Sequence, residues 1–437
     1  MNNIDKKQVT QCIINCLWSS NASEEKRENE PSDILFMRDG YLVSFEQKEA
    51  ENYFDALNQV TKYELLTTKY TKKVISDSFR SFLVRLIKTY EICPSFDDIK
   101  KELDNWLQDM VNALDQKFTY FALIENMVAK EEITIGGVKI EPLNDKTLDQ
   151  IKNSVFLTVD KNPNYSDEDR NRMRDKLSKN VLTTLENSKF SSLASISFTT
   201  KDVDKGLELA IYRIREMVDL LRFFGVFNKR THPRESIALK GEFTGLDKWY
   251  LAISDPEGFF KSYHLDFTYS YSLDTSLIKD FNKRGFQNFS NILEKDPDDR
   301  SELENKLLLS IKWVSEAIRE TSDFTRFLKI CIGLESLLCS KGDMPYGSTM
   351  GERLAYLIET NKEKRKWIYS KSKKIYSFRS NIAHEGLSSM DEDQIETMHY
   401  ALAYLVNVIV RINDLIIEHH WSKFDELKQY VEDIMFT

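Results

Sequence analysis

Two side chains five positions apart, Arg379 and His384, carry the chemistry this chain offers most directly. A guanidinium stays charged at any physiological pH, whereas an imidazole of ordinary pKa, near 6.5, takes or gives a proton there. The segment before them is basic: Lys362, Lys364, Arg365, Lys366, Lys371, Lys373 and Lys374 are opposed within that run only by Glu363. Such a run attracts phosphate. RNA brings its own nucleophile in the 2′-hydroxyl. A protein that cuts it must remove that proton, protonate the leaving 5′-oxygen and stabilise the charge building on phosphorus. His384 suits the proton transfers and Arg379 the phosphorane. Ser380 and Asn381 are candidates to orient the phosphate, and Lys366, Lys373 and Lys374 to hold the strand. No carboxylate cluster at metal-ligand spacing accompanies them, which is consistent with a reaction without metal or cofactor that leaves a 2′,3′-cyclic phosphate and a 5′-hydroxyl. Taken by itself, His384 also reads as a cation favoured at the C-terminal end of a helix dipole.

These residues need a helix to position them. Gly386 is a stop signal, and the spacing predicts a helix from near Lys362 with Trp367, Ile375, Phe378 and Ile382 on its apolar face. A five-residue step turns an ideal helix by about 140°, so Arg379 borders that stripe while His384 shares a face with Lys373, Ser377 and Ser380. One copy converges poorly on one phosphate. Two copies about a two-fold axis would supply both groups from both sides, so a homodimer is expected.

Around this helix the pattern from Asp298 to Thr437 is wholly helical. Leu303, Leu307, Ile311, Val314 and Ile318 line one helix, and Phe324, Leu328, Cys331 and Leu338 a second. A short helix is expected from about Ser348 to Thr360. A long one follows residue 389, with Ile395, Met398, Leu402, Leu405, Ile409, Ile412 and Ile416 as an unbroken apolar seam. Another helix must cover that seam, from the same chain or from a second copy. Glu335 falls in the middle of the second helix's apolar stripe. A buried carboxylate is costly unless paired, and Arg379 is its expected partner, as a structural ion pair or as the group that orients the guanidinium.

Arg-x4-His at the end of a basic helix, followed by a long apolar helix, resembles the HEPN superfamily, whose members are mostly metal-independent RNases. The stretch Phe327 to Leu338, with its Leu-Glu-x-Leu-Leu, and Tyr376-x2-Arg379-Ser380-x3-His384-x-Gly386 resemble in particular the Apea-like HEPN branch of bacterial antiphage proteins. The match covers roughly residues 298–437. Glu385, between His384 and Gly386, departs from the adjacent His-Gly of many relatives and sets a negative charge beside the proposed base. The resemblance implies an endoribonuclease in antiviral defence, acting on RNA with tRNA as one candidate target and answering a phage-derived trigger.

Composition sets the frame. The chain has 437 residues and a net charge of −9, with 41% hydrophobic and 30% charged residues, so a nucleic-acid surface must be local. Its five cysteines, Cys12, Cys16, Cys93, Cys331 and Cys339, show no paired metal spacing. Cys12, Cys16 and Cys331 fall on apolar helical faces and read as buried thiols of a reducing cytoplasm. No run approaches the roughly 18 consecutive apolar residues that span a membrane, and the first residues lack the h-region of a signal peptide.

The fold class expected is α+β: a mixed N-terminal region followed by an all-α HEPN bundle. Residues 1–130 read as helices and a hairpin, 131–297 as an α+β region that forms one domain with the first or stands apart, and 298–437 as the bundle. Asp39-Gly40 and Gly136-Gly137 are hairpin turns, and Ser95 to Asp98 a capping box. Helices are expected from Glu49 to about Tyr70, Val74 to Ile92, Asp202 to Phe224 and Asp274 to Leu293, and strands over Phe118 to Met127, Leu193 to Thr200 and Phe260 to Tyr271. Tyr263, Phe267, Tyr269 and Tyr271 alternate as on a half-buried strand; the other reading is a base-stacking platform. Glu294 to Arg300 reads as a solvated linker, His232 and His264 as structural, and His419-His420 as a helix C-cap. Beside the ribonuclease stand two alternatives: a non-catalytic HEPN-like module that dimerises or holds nucleotide or RNA, and, ranked last, a regulatory DNA-binding protein.

Overall fold

Side-chain caps fix where the helices of this α+β protein begin. Ser95, Ser301 and Asp391 each accept from the backbone N–H three residues on, and Asp98, Glu304 and Gln394 reach back to the cap N–H. These are complete capping boxes, and the one at Ser95 is as the sequence predicts. The computed structural model describes residues 5–17, 21–23, 34–38, 41–45, 47–90, 94–160, 166–177, 191–227, 237–240, 242, 249–253, 260–264, 271–343, 345–385 and 390–436. The chain divides into two units, residues 1–120 with 197–210 and residues 121–196 with 211–437.

The first unit is mainly helical. It holds α1 (Lys6–Leu17), α2 (Gln47–Val60), the short α3 (Glu64–Thr67), α4 (Lys72–Thr89) and α5 (Phe96–Asn112), with a small antiparallel sheet of β1 (Asn21–Ser23), β2 (Ile34–Arg38) and β3 (Tyr41–Phe45) in the order β1-β3-β2. Arg38 faces Tyr41 across the hairpin. The helix expected from Glu49 to Tyr70 is therefore two helices. Ile13, Tyr53, Ile75, Phe79, Leu83, Ile99 and Leu103 form its core. The Asp202 carboxylate accepts from Thr71 N and Oγ at 2.7 and 2.9 Å, tying the start of α4 to the later segment of the unit.

Next along the chain come β4 (Gln116–Glu125), β5 (Met127–Ala129), β6 (Ile133–Ile135), β7 (Val138–Pro142), α6 (Asp145–Asp160), α7 (Asp167–Leu177), β8 (Ser191–Thr200), α8 (Val203–Gly225) and β9 (Ala238–Leu239), all of the second unit except residues 116–120 of β4, 197–200 of β8 and 203–210 of α8. The five-stranded sheet runs β6-β7-β8-β4-β9, and the β6–β7 hairpin turns at Gly136 and Gly137, both at positive φ. β10 (Trp249–Ile253) pairs with β11 (Phe260–His264), and β12 (Tyr271–Leu273) runs parallel to β5. The strand expected from Phe118 to Met127 breaks at Asn126, whose φ is +59°. His232, Phe267 and Tyr269 lie outside the described residues, as do the side chains of Tyr263 and His264.

The helix expected from Asp274 to Leu293 is two, α9 (Thr275–Asn282) and α10 (Phe286–Glu294). Gly285 turns the chain between them at φ +79°, and a Cβ there would meet Asn413 Nδ2 at 2.3 Å. The rest is helical: α11 (Glu302–Arg319), α12 (Asp323–Leu338), α13 (Tyr346–Ile358), α14 (Lys362–Glu385), α15 (Glu392–His419) and α16 (Phe424–Phe436), the last not anticipated from sequence.

One core runs continuously from Ile124 on the sheet to Val431. The stretch expected as a linker, Glu294 to Arg300, lies inside this unit. Arg300 is only 1% exposed and makes a two-point contact with Glu216 on α8 at 2.6 and 2.8 Å, while Arg213 donates to Leu293 O and Asp296. Further along α8, Arg222 donates to Ile237 O, and Arg222 and Ser315 both donate to Asp219 Oδ1, joining α8 to α11. The apolar seam of α15 is filled within the chain: Met398, Leu405, Ile409, Ile412 and Ile416 are buried against this core. Among the described residues α15 is also the one helix long and apolar enough to cross a membrane, and over half of that window is buried here, as in a core helix.

Candidate functional site

The site is built on α14 and the helices that hold it. Asn361 Oδ1 accepts from Glu363 N and Lys364 N, and the Glu359 carboxylate accepts from Thr360 N and Asn361 N, which anchors the start of the helix. Its buried stripe is Ile368, Ser372, Ile375, Phe378 and Ile382. α13 can lie close to it because Gly347 and Gly351 have no side chain. A Cβ on Gly347 would meet the Tyr376 ring at 2.8 Å, and one on Gly351 would meet Ser372 Cβ at 3.2 Å. Trp367, expected on the apolar face, is instead 46% exposed, and Ile368 takes the buried position.

Arg379 meets the partner expected for it. Its Nε lies 3.2 Å from Glu335 Oε1 and Nη2 3.5 Å from Oε2, a two-point ion pair; Nε makes no aligned hydrogen bond. The side chains are 34% and 24% exposed, so Glu335 sits at the edge of the α12 stripe rather than in its middle. The buried positions of that helix are Phe327, Ile330, Cys331, Leu334, Leu337 and Leu338. Burial raises the Glu335 carboxyl above its ordinary pKa, and Arg379 opposes that rise. Burial likewise pushes the Cys331 thiol up. Next to the pair, Phe378 packs on Phe327 with ring centroids 4.7 Å apart. The result is a guanidinium pinned from one side by a carboxylate and by packing, with the remainder reachable from solvent.

His384 lies in the last turn of α14; its side chain, and that of Glu385, are outside the described residues. Lys373 and Ser377, which the sequence expects on the same face, are exposed. Asn381 is exposed and Ser380 half-buried. The three candidate RNA-holding lysines are exposed and engaged differently. Lys366 pairs with Glu363 at 2.9 Å, Lys374 pairs with Asp393 at the start of α15, and Lys373 lies 4.6 Å above the Tyr369 ring. The structure thus brings Glu335 to Arg379 and spreads the lysines along the outer face. Sequence reasoning missed the carboxylate partners of Lys366 and Lys374 and the ring beneath Lys373.

Among the described residues, no group of three His, Cys, Asp or Glu is placed to hold a metal ion. His420 caps α15 at φ +57°, its N–H donating to Ile416 O, and His419 stacks on Trp421 at 4.9 Å. A cleft of about 430 Å³ lined by Phe227, Leu277, Asp280, Phe281, Lys283 and Arg284 contains none of the candidate residues. Comparison with models of known families, with curated proteins and with solved structures finds no match to this chain.

Proposed function

We propose that this chain is a metal-independent endoribonuclease of the HEPN type, acting as a homodimer. The observation that carries the reading is the two-point hold of Glu335 on Arg379, half-exposed on a basic helix that presents His384 one and a half turns further on. In the reaction the 2′-oxygen forms a bond to phosphorus as the bond to the 5′-oxygen breaks. One His384 takes the 2′-hydroxyl proton, the His384 of a second copy gives a proton to the leaving 5′-oxygen, and Arg379 faces the charge on the non-bridging oxygens. Because a five-residue step on an ideal helix sets the two groups about 140° apart, a second copy supplies what one copy cannot aim at the same phosphate. Ser380 and Asn381 orient the phosphate, and Lys366, Lys373 and Lys374 hold the strand. The setting is the cytoplasm, where buried thiols persist, in antiviral defence with RNA such as tRNA as the target and a phage-derived trigger.

The test is RNA cleavage by purified protein in EDTA. His384→Ala and Arg379→Ala should each abolish it while circular dichroism shows the fold retained; cleavage persisting in both variants would rule the assignment out. The pairing of Arg379 with a carboxylate, which leaves that pair neutral, favours a second reading as a non-catalytic RNA- or nucleotide-binding module. An RNA profile unchanged by wild-type protein under every trigger tested would decide for it.

A further inference from the structure

Where α14 meets α15, an aromatic and basic patch stands outside the cleavage chemistry. Burial of an indole is strongly favoured, yet Trp367 is 46% exposed. Its ring meets Tyr400 edge to face at 5.2 Å and Tyr404 at 6.4 Å, so both rings brace it. Lys371 Nζ lies over two of these rings, 5.6 Å from Trp367 and 4.7 Å from Tyr400. On another face of the helix, toward α13, Lys373 lies over Tyr369 at 4.6 Å and Arg365 over Tyr356 at 4.4 Å, outside this patch. Tyr400 is half-buried, and the Tyr404 hydroxyl is buried without a hydrogen-bond partner. Acidic groups are present but engaged. Glu363 pairs with Lys366, Glu359 with Lys364 and Asp393 with Lys374, while Glu396 contacts the Tyr400 hydroxyl.

We propose that this patch is a base-stacking platform for single-stranded RNA, with unpaired bases against Trp367 and Tyr400 and the flanking phosphates beside Lys371. That the ligand is RNA rests on the ribonuclease reading; that it is single-stranded follows from the rings. Every base has a π face to offer an aromatic side chain, and a duplex hides those faces in its own stack. The surrounding cations complement phosphate. Trp367 lies twelve residues before Arg379, about 18 Å along the helix axis and about 120° around it, so a strand that meets both winds about a third of a turn around α14.

The test measures fluorescence anisotropy of a short labelled oligouridylate with the full-length protein carrying Arg379→Ala, which keeps the strand intact. Adding Trp367→Ala should weaken binding about 5- to 150-fold, the range expected for one lost stacked base. Trp367→Phe should restore most of it, because the phenyl ring retains a stacking face, and it guards against a folding defect in the alanine variant. Lys371→Gln should lower the salt dependence by about one phosphate contact. Affinity for duplex RNA of the same length should change by less than about twofold. Equal oligouridylate affinity with and without Trp367 would overturn the platform, and a simultaneous drop in oligomer mass by light scattering would make the patch an interface between copies instead. Trp367-dependent binding by a protein that never cuts RNA would remove the ribonuclease reading and leave the platform. His384-dependent cleavage with Trp367-independent binding would do the reverse.

Discussion

Asp219 gives a quantitative test of the frame that carries the site. On α8 its carboxylate accepts from Ser315 Oγ at 2.5 Å and from Arg222 Nη1 at 3.1 Å. Burial nonetheless pushes its pKa from 3.8 up to about 6, opposed by Arg222 and Ser315 and reinforced by Glu316 and Glu242. The same burial brings Arg222 down to about 10, so for both partners leaving water costs more than their attraction returns. The sign follows from the folded pKa lying above the unfolded one: the native state holds a proton that the unfolded chain releases. The stabilisation is complete below pH 3.8 and is lost as pH rises through about 6. Within that window stability should fall by about 1.4 kcal/mol per pH unit, about 3 kcal/mol in all. Asp219→Asn keeps an oxygen for Ser315 and Arg222 and removes the titration. Urea unfolding of both proteins between about pH 4 and 8 isolates the effect, because the other carboxylates cancel in the difference. Wild-type stability minus variant stability should step down by about 3 kcal/mol across the window. Parallel curves would refute the reasoning, and a difference rising with pH would mean that Arg222 holds the carboxyl below its ordinary range.

On the ribonuclease proposal Glu335 acts through Arg379, so Glu335→Gln should lower kcat about 10- to 100-fold while leaving RNA affinity near the wild-type value, and Glu335→Asp should recover part of the loss. Because both partners are substantially exposed, its stability cost should stay below ~1 kcal/mol in urea unfolding. Wild-type kcat in Glu335→Gln would remove it as a positioning residue. Cys12, Cys16, Cys331 and Cys339 are buried, with burial raising Cys12 and Cys331 and bringing Cys339 up to about 11. In a Cys93→Ser protein a thiol-specific chromogenic reagent at neutral pH should therefore react only after denaturation, and rapid labelling of the native protein would contradict this packing.

What the sequence made legible is what repeats locally. Ser95, Ser301 and Asp391 open helices because a cap and its reciprocal partner lie three residues apart. The Glu335–Arg379 pair could be expected because each residue interrupts or borders an apolar stripe at a fixed angle. Trp367 was misplaced for a related reason. Its offset of eight residues from Ile375 turns a helix by about 80°, which leaves it at the margin, and only the neighbouring Tyr400 and Tyr404 rings decide that it stays at the surface. Glu294 to Arg300 misled because its stabilising partner, Glu216, lies far away in sequence. A charged run looks solvated until the structure shows one arginine 1% exposed and held at two points.

That burial bears on how the site is positioned. Had the run been a free linker, the bundle would stand alone and α12 would be set only by its own helices. Instead Asp219 and Arg222 of α8 hold Ser315 of α11. One and a half turns earlier Ser310 of α11 donates to Gly333 O at 3.2 Å and lies 3.3 Å from Ser336 Oγ, on either side of Glu335 in α12. Gly333 leaves no room for adjustment, since a Cβ there would meet Leu405 at 2.6 Å. The carboxylate that pins Arg379 is therefore carried on a helix fixed from behind by α11 and from the side by α15. On the ribonuclease proposal this arrangement suits a guanidinium that must already be oriented when a phosphate arrives, because the ordering is done in folding rather than at the moment of reaction.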